Sequence, residues 1–116
     1  MAYFNGEGVR QDRLKAIEMF KVAALQNNSK SMVILGTLNE NGEVLEKSFD
    51  KAFYWYNKSA MLGDAKGQYL TANALKNAIG TERDLTKSFE WFVLSADQNL
   101  PEAKLELGYA FREGLG

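Results

Sequence analysis

One spacing constrains this chain more than anything else in it. The segments KAIEMFKVAAL from Lys15, KAFYWYNKSAM from Lys51 and KSFEWFVLSAD from Lys87 begin 36 residues apart. At that spacing Lys15, Lys51 and Lys87 are identical, as are Ala24, Ala60 and Ala96, and Asn5, Asn41 and Asn77. Phe20, Tyr56 and Phe92 form an aromatic column, Ala16, Ala52 and Ser88 a small-residue column, and Trp55 matches Trp91 with Met19 in the first unit. Leu35-Gly36 returns as Leu107-Gly108, with Thr71-Ala72 between them. A fixed period of this length marks a chain built of stacked supersecondary units. Such units bury their apolar faces only against one another.

Each unit reads as two helices. Asp12, Ser48 and Asp84 share one position, where a side-chain oxygen accepts from free N–H groups at a helix start. The apolar positions that follow recur with helical period. Asn27, Gly63 and Asn99 occupy the column where that helix stops, the residues that most readily take the left-handed conformation. The next helix starts near Asn28, Asp64 and Leu100, with Pro101 in a first turn that needs no N–H from it. No alternating strand pattern of useful length is present. The chain is therefore expected to be all-α, with helices near 12–26, 29–41, 48–62, 65–77, 84–98 and 101–113. The alanine columns permit close helix approach. Trp55, Tyr56, Trp91 and Phe92 are read as core packing rather than an aromatic ligand box.

Composition narrows the chemistry. The 116 residues contain no Cys and no His, which removes disulfides, thiolate nucleophiles, zinc–thiolate sites and the commonest general base and metal ligand. No cofactor and no metal are expected. Fourteen Lys plus Arg stand against fifteen Asp plus Glu, a net charge of −1, which argues against a nucleic-acid binder that relies on a general positive field. The longest unbroken apolar run is Ala52–Tyr56, too short to span a membrane. The start shows no basic-then-apolar signal pattern. Cytoplasm is the default expectation; secretion or a periplasmic location stays open if an upstream segment carries a signal.

The columns resemble the Sel-1-like repeat family, a relative of the tetratricopeptide repeats. The first unit carries the resemblance through Gly6, Gly8, Val9, Asp12, Lys15 and Ala16, then Phe20, Ala23, Ala24, Leu35 and Gly36. The second does so through Gly42, Lys51, Ala52, Trp55, Tyr56, Ala60 and Gly63. The third uses Gly80, Asp84, Lys87, Trp91, Phe92 and Ala96, then Ala103, Leu107 and Gly108; a fourth begins with Phe111, Gly114 and Gly116. Val44 and Ala78 depart from glycine columns, Thr71-Ala72 from the Leu-Gly column and Ser48 from the Asp column. The resemblance implies a right-handed α/α superhelix, a solenoid of antiparallel helix pairs. It divides residues 1–116 as one repeat domain into units of approximately 1–36, 37–72 and 73–108, with the start of another at 109–116. It also implies a non-enzymatic adaptor or scaffold of bacterial type that holds a peptide or partner protein on its concave face.

The first helix of each pair lines that face in the family. Ala103, Leu107, Phe111 and Gly114 point one way along a helix and form the packed side. Leu105, Tyr109 and Arg112 lie opposite. Carried back by one and two repeats, this stripe becomes Tyr69, Asn73 and Lys76, then Val33, Thr37 and Glu40, with Met1 and Phe4 extending it. These nine residues from Val33 to Arg112 are the candidate partner-binding set. Asn73 is expected to bond a peptide backbone with both amide atoms, and Lys76 and Arg112 to meet a carboxylate. An ordinary solvated face is the bland alternative.

Four motifs are set aside. GEGV at 6–9 is read as an interhelix turn and GDAKG at 63–67 lacks the order of a phosphate loop. Asp12, Asp84, Glu43, Glu46 and Glu82 are read as caps and solvated loop residues rather than a catalytic pair. Lys15, Lys51 and Lys87 lay apolar stems over neighbouring helices. A toxin-occluding immunity protein is the alternative function and a cell-wall hydrolase the remote one. The last helix carries Leu105, Leu107, Tyr109 and Phe111 with no helix after it. Two readings follow: a fragment of a longer solenoid, or end-to-end self-association.

Overall fold

A computed structural model describes the backbone of residues 6–114 and the side chains of residues 11–114. Among these residues there are six helices and no strand: α1 (Gly6–Leu25), α2 (Ser29–Asn41), α3 (Phe49–Met61), α4 (Ala65–Asn77), α5 (Leu85–Asp97) and α6 (Pro101–Arg112). Each packs on the next, and α2 also reaches α4. The result is an all-α solenoid of helix pairs, elongated to 58 × 24 × 23 Å.

The helix starts follow from side-chain chemistry. Asn28, Ser48, Asp64 and Asp84 have extended backbones, and their side chains accept from the N–H groups of Ser31, Lys51, Gly67 and Lys87. Leu100 has no such bond; Pro101 starts α6 instead. The stops follow as well. Asn27, Gly63 and Asn99 all take positive φ, and so do Gly42, Ala78 and Gly114. Ala78 does so at φ 57 with a Cβ, in the column that Gly42 and Gly114 fill with glycine. A left-handed non-glycine residue costs about 1–2 kcal/mol.

Asp12 is the exception and corrects the expected start of the first helix. It lies inside α1, which runs from Gly6, so GEGV is helix rather than an interhelix turn. In the later repeats the loop before the cap is pinned by a backbone bond. The N–H of Ser48 donates to the Asn39 carbonyl and that of Asp84 to the Leu75 carbonyl, both at 2.9 Å. The equivalent acceptor for Asp12 is Tyr3, which lies outside the described residues.

The core is small residues plus aromatics. Ala24, Ala52, Ala60, Ala72 and Ala96 are buried, with Tyr56 and Phe92 between them. Ile17, Ala24, Met32 and Leu35 form the first cluster, and Phe20, Leu38, Val44, Leu45 and Trp55 pack against it. Gly36 explains the Leu-Gly pair. A Cβ there would meet the Tyr56 ring at 2.5 Å and the Ala52 carbonyl at 3.1 Å, so α2 and α3 approach as only a glycine permits. Hydroxyls bind neighbouring layers: Ser88 Oγ donates to the Ala72 carbonyl and Ser95 Oγ to the Ala65 carbonyl, each at 2.7 Å. Gln98 Nε2 reaches the Gly63 carbonyl at 2.7 Å and Gln68 Oε1 at 3.0 Å, tying α5 to the turn before α4. Among the described residues no helix is long and apolar enough to cross a membrane.

Candidate functional site

The packed side of α2 and α4 is as the helical stripe predicts: Ser31, Leu35 and Asn39, then Gly67, Thr71 and Leu75, are buried. In α6 the same columns diverge. Ala103 is buried, but Phe111, expected on the packed side, is 60% exposed and meets the Phe89 ring edge-on, centroids 5.9 Å apart. Its equivalents Asn39 and Leu75 are buried.

The opposite stripe is graded. Val33, Glu40, Tyr69, Asn73 and Lys76 are half-buried, whereas Thr37, Leu105, Tyr109 and Arg112 are exposed. Met1 and Phe4 lie outside the described residues. Several of these side chains already have partners. Thr37 Oγ1 donates to the Val33 carbonyl at 2.9 Å and accepts from the Tyr56 hydroxyl at 3.4 Å. Tyr69 lays its ring on Phe92, centroids 5.9 Å apart. Its pKa is raised by burial first, then by Glu106 and Glu102, with Lys76 opposing.

Two expectations change. Lys76 Nζ sits 3.1 Å from Glu106 Oε2, so it already has a carboxylate partner on α6. A pair 30 positions apart leaves no trace in a local pattern. Asn73 Oδ1 accepts from Asn77 Nδ2 at 3.0 Å, so its carbonyl end is engaged within α4. Arg112 keeps the expected reach: it stands 5.8 Å over the Tyr109 ring, with no carboxylate within ion-pair distance among the described residues.

The stripe opens onto a ladder of clefts. One is walled by Phe49, Phe53, Tyr56 and Ala74 and rimmed by Glu40 and Asn73. One repeat on, Leu85, Phe89, Phe92 and Ala110 form the walls, and Lys76 and Tyr109 the rim. These positions correspond one to one at the 36-residue spacing. A further member, about 250 Å³, lies between α1 and α2 at Ala16, Ile17, Phe20 and Leu38, with Arg13 at its edge. The positions of Phe53, Tyr56 and Ala74 stay apolar in all three clefts, whereas Leu70 gives way to Glu106, Phe49 to Arg13 one repeat earlier, and the rims change from Glu40 and Asn73 to Lys76 and Tyr109. Phe49, Phe53, Phe89 and Ala110 were not singled out from sequence, although adding 36 to any one cleft residue finds its counterpart.

A larger open groove lies elsewhere. About 560 Å³ lies between α3 and α5, over Leu75, with Phe53, Met61, Trp91 and Leu94 as its apolar lining. Trp55 packs against the first cluster, whereas Trp91 lines this groove. Both tryptophans are half-buried, so reading them as core holds only in part for each.

A two-helix unit repeated at constant spacing, with capped starts, left-handed stops and an aromatic column between layers, defines the class of α-solenoid repeat proteins. The chain belongs to the Sel1 repeat family: the family model matches residues 1–28, 29–64, 65–100 and 101–116. Its boundaries fall at the turns that precede α2, α4 and α6. Solved structures agree. A protective antigen of uropathogenic Escherichia coli, c5321, described as displaying an SLR fold, superposes with TM-score 0.83 at 36% identity, over 87% of this chain and 22% of that one. A Sel1 repeat protein from Oxalobacter formigenes superposes with TM-score 0.75 at 25% identity, over 91% of this chain and 46% of that one. The Helicobacter pylori cysteine-rich protein B shares the fold, with TM-score 0.76 at 21% identity over 78% and 68%. The chain thus spans about a fifth of the first of these proteins and under half of the second. A search of curated proteins finds no match. Sel1 repeat proteins generally mediate protein–protein interaction and are generally non-catalytic scaffolds.

Proposed function

We propose that this chain is a non-catalytic adaptor that holds a peptide segment of a partner protein along the face shared by α2, α4 and α6. The observation that carries this reading is the cleft ladder. Its aromatic and small wall positions repeat, which supports a common cleft shape, and its rims vary, which is where recognition of one sequence over another would reside. Rim residues Glu40, Asn73, Lys76 and Tyr109 all belong to the stripe first read from sequence. Arg112, over Tyr109, is the cation left for a guest carboxylate, and a guanidinium binds one in two-pronged fashion. A preformed groove on stacked helices binds without large rearrangement, which limits the ordering cost.

The test is affinity capture with wild type and with the triple variant Asn73→Ala, Tyr109→Ala, Arg112→Ala. Tyr69 is left intact because its ring packs on Phe92. The expected outcome is a partner retained by wild type and lost by the variant, with unchanged helicity by circular dichroism. A partner retained equally by both sinks the assignment of this face.

A further inference from the structure

Two clefts of the ladder share a frame and differ in their charges. In the later one, Lys76 on α4 and Glu106 on α6 both line the cleft and pair at 3.1 Å, 30 positions apart in sequence. One repeat earlier the same two positions are Glu40 on α2 and Leu70 on α4, and both line the cleft there. The cation of the later pair has become a carboxylate, and the carboxylate has become an apolar side chain. Glu40 thus loses the internal counter-charge that the later cleft provides. Among the described residues no Lys or Arg stands within ion-pair distance of Glu40. Lys47 Nζ lies 5.5 Å from the centroid of the Phe49 ring and not on Glu40.

The surroundings of this charge are aromatic. Glu40 is half-buried, and Phe49, Phe53 and Tyr56 wall the cleft, with no basic and no second acidic side chain in its lining. A carboxylate held against apolar groups is costly to keep charged until a counter-charge or donors reach it. Ring faces carry negative charge density, so they attract a cation. The Glu40 charge is felt inside the cleft. Burial raises the Tyr56 phenol pKa and Glu40 adds to the rise, with the Thr37 hydroxyl opposing. The Tyr56 proton is directed at Thr37 Oγ1, at 3.4 Å, which leaves the phenol oxygen as a further acceptor.

We propose, building on the peptide-adaptor reading of this face, that the cleft between α2, α3 and α4 takes a cationic side chain of the guest, a lysine ammonium or an arginine guanidinium. The cation meets Glu40, and its apolar stem lies among the rings. A cleft of about 70 Å³ suits the tip of one side chain. The guest supplies at Glu40 the opposite charge that Lys76 finds on Glu106 within the chain. Asn73 Oδ1 is engaged by Asn77, so the Asn73 Nδ2 group at the rim is left to donate to a guest carbonyl. With Arg112 at the far end, the guest carries a basic group toward α2 and a carboxylate toward α6.

The probes are the capped peptides acetyl-Gly-Lys-Gly-amide and acetyl-Gly-Arg-Gly-amide, with norleucine and glutamate at the middle position as neutral and anionic controls. Each is titrated at constant ionic strength into the whole ¹⁵N-labelled chain. The Asn73 side-chain N–H signals are followed, assigned with Asn73→Ser. The Trp91 indole signal reports on the α3–α5 groove and serves as the distant control. At least one cationic peptide is expected to shift Asn73 saturably with Trp91 unmoved, and the tighter of the two identifies the cation. The norleucine and glutamate peptides produce no shift. Glu40→Gln weakens binding several-fold and removes its salt dependence. Leu70→Lys places an ammonium 30 positions from Glu40, the separation of Lys76 and Glu106; it abolishes binding with unchanged helicity. No saturable shift with either cationic peptide, equal binding of the norleucine peptide, or undiminished binding by Glu40→Gln overturns the proposal. The adaptor reading is tested separately by affinity capture. A partner lost by the triple variant but kept by Glu40→Lys leaves the peptide face standing and sinks the cationic guest alone.

Discussion

At the scale of single residues, two glycines of one column behave in opposite ways. Gly36 is pressed against Tyr56, and Gly108 has nothing within 4 Å of where a Cβ would stand. Gly36→Ala forces the Tyr56 ring or the α2 backbone to move and is expected to cost about 1–3 kcal/mol. Gly108→Ala restores helix propensity in open space and is expected to stabilise by about 0.5–1 kcal/mol. Urea denaturation of the two variants checks the sign of each. Tyr56 gives a pH dependence. Burial pushes its phenol pKa up, and Glu40 adds to this while the Thr37 hydroxyl opposes it. The folded state then holds the proton more tightly than the unfolded state. This contribution is fully present below the ordinary tyrosine pKa of about 10 and is lost as pH rises beyond it. Urea midpoints measured from pH 8 to 11 should decline more steeply for wild type than for Tyr56→Phe. Lysine deprotonation is common to both chains and drops out of the difference.

At the scale of helices, caps decide where elements begin. Asp84 accepts from the Lys87 N–H at 3.0 Å, while Asp12, in the same column, sits within α1. Asp84→Ala is expected to cost about 1 kcal/mol, and Asp12→Ala less than about 0.5 kcal/mol, by thermal or chemical melting. Equal losses at both positions would show that Asp12 caps a helix after all. This contrast marks how far the sequence was readable. Helices α2 to α6 fall within a residue or so of their expected bounds, because caps, left-handed stops and the apolar period are local signals. Three features were not local. Lys76 is paired with a carboxylate on another helix. Phe111 is exposed although it shares a column with buried Leu75. Trp55 and Trp91 share a sequence position, yet Trp55 packs on the first core cluster and Trp91 lines the α3–α5 groove. Of the candidate stripe, the repeat arithmetic found the cleft rims and missed the aromatic walls that face them.

At the scale of the whole molecule, the last helix presents an apolar surface. Leu105, Tyr109 and Phe111 are all exposed on α6, and Met19, Val22 and Leu25 on α1. In each complete repeat the first helix packs its full length on the second, α2 on α3 and α4 on α5. Apolar side chains are thus exposed on both α1 and α6. Self-association is the expected behaviour of this chain in isolation: multi-angle light scattering should give a mass that rises with concentration. Leu105→Glu with Phe111→Glu should return it to 13.0 kDa at all concentrations. A constant monomer mass for wild type would rule out end-to-end pairing.

The contact pattern has a mechanical corollary. Helices touch chiefly the elements next to them in the chain, with α2 on α4 the main exception among the stronger contacts. A load pulling the two ends apart therefore meets no shear-loaded clamp that must fail all at once. It peels helices from the tips inward, each release costing one interface, as a zipper opens tooth by tooth. Such a chain lengthens under modest tension and recovers when the tension falls.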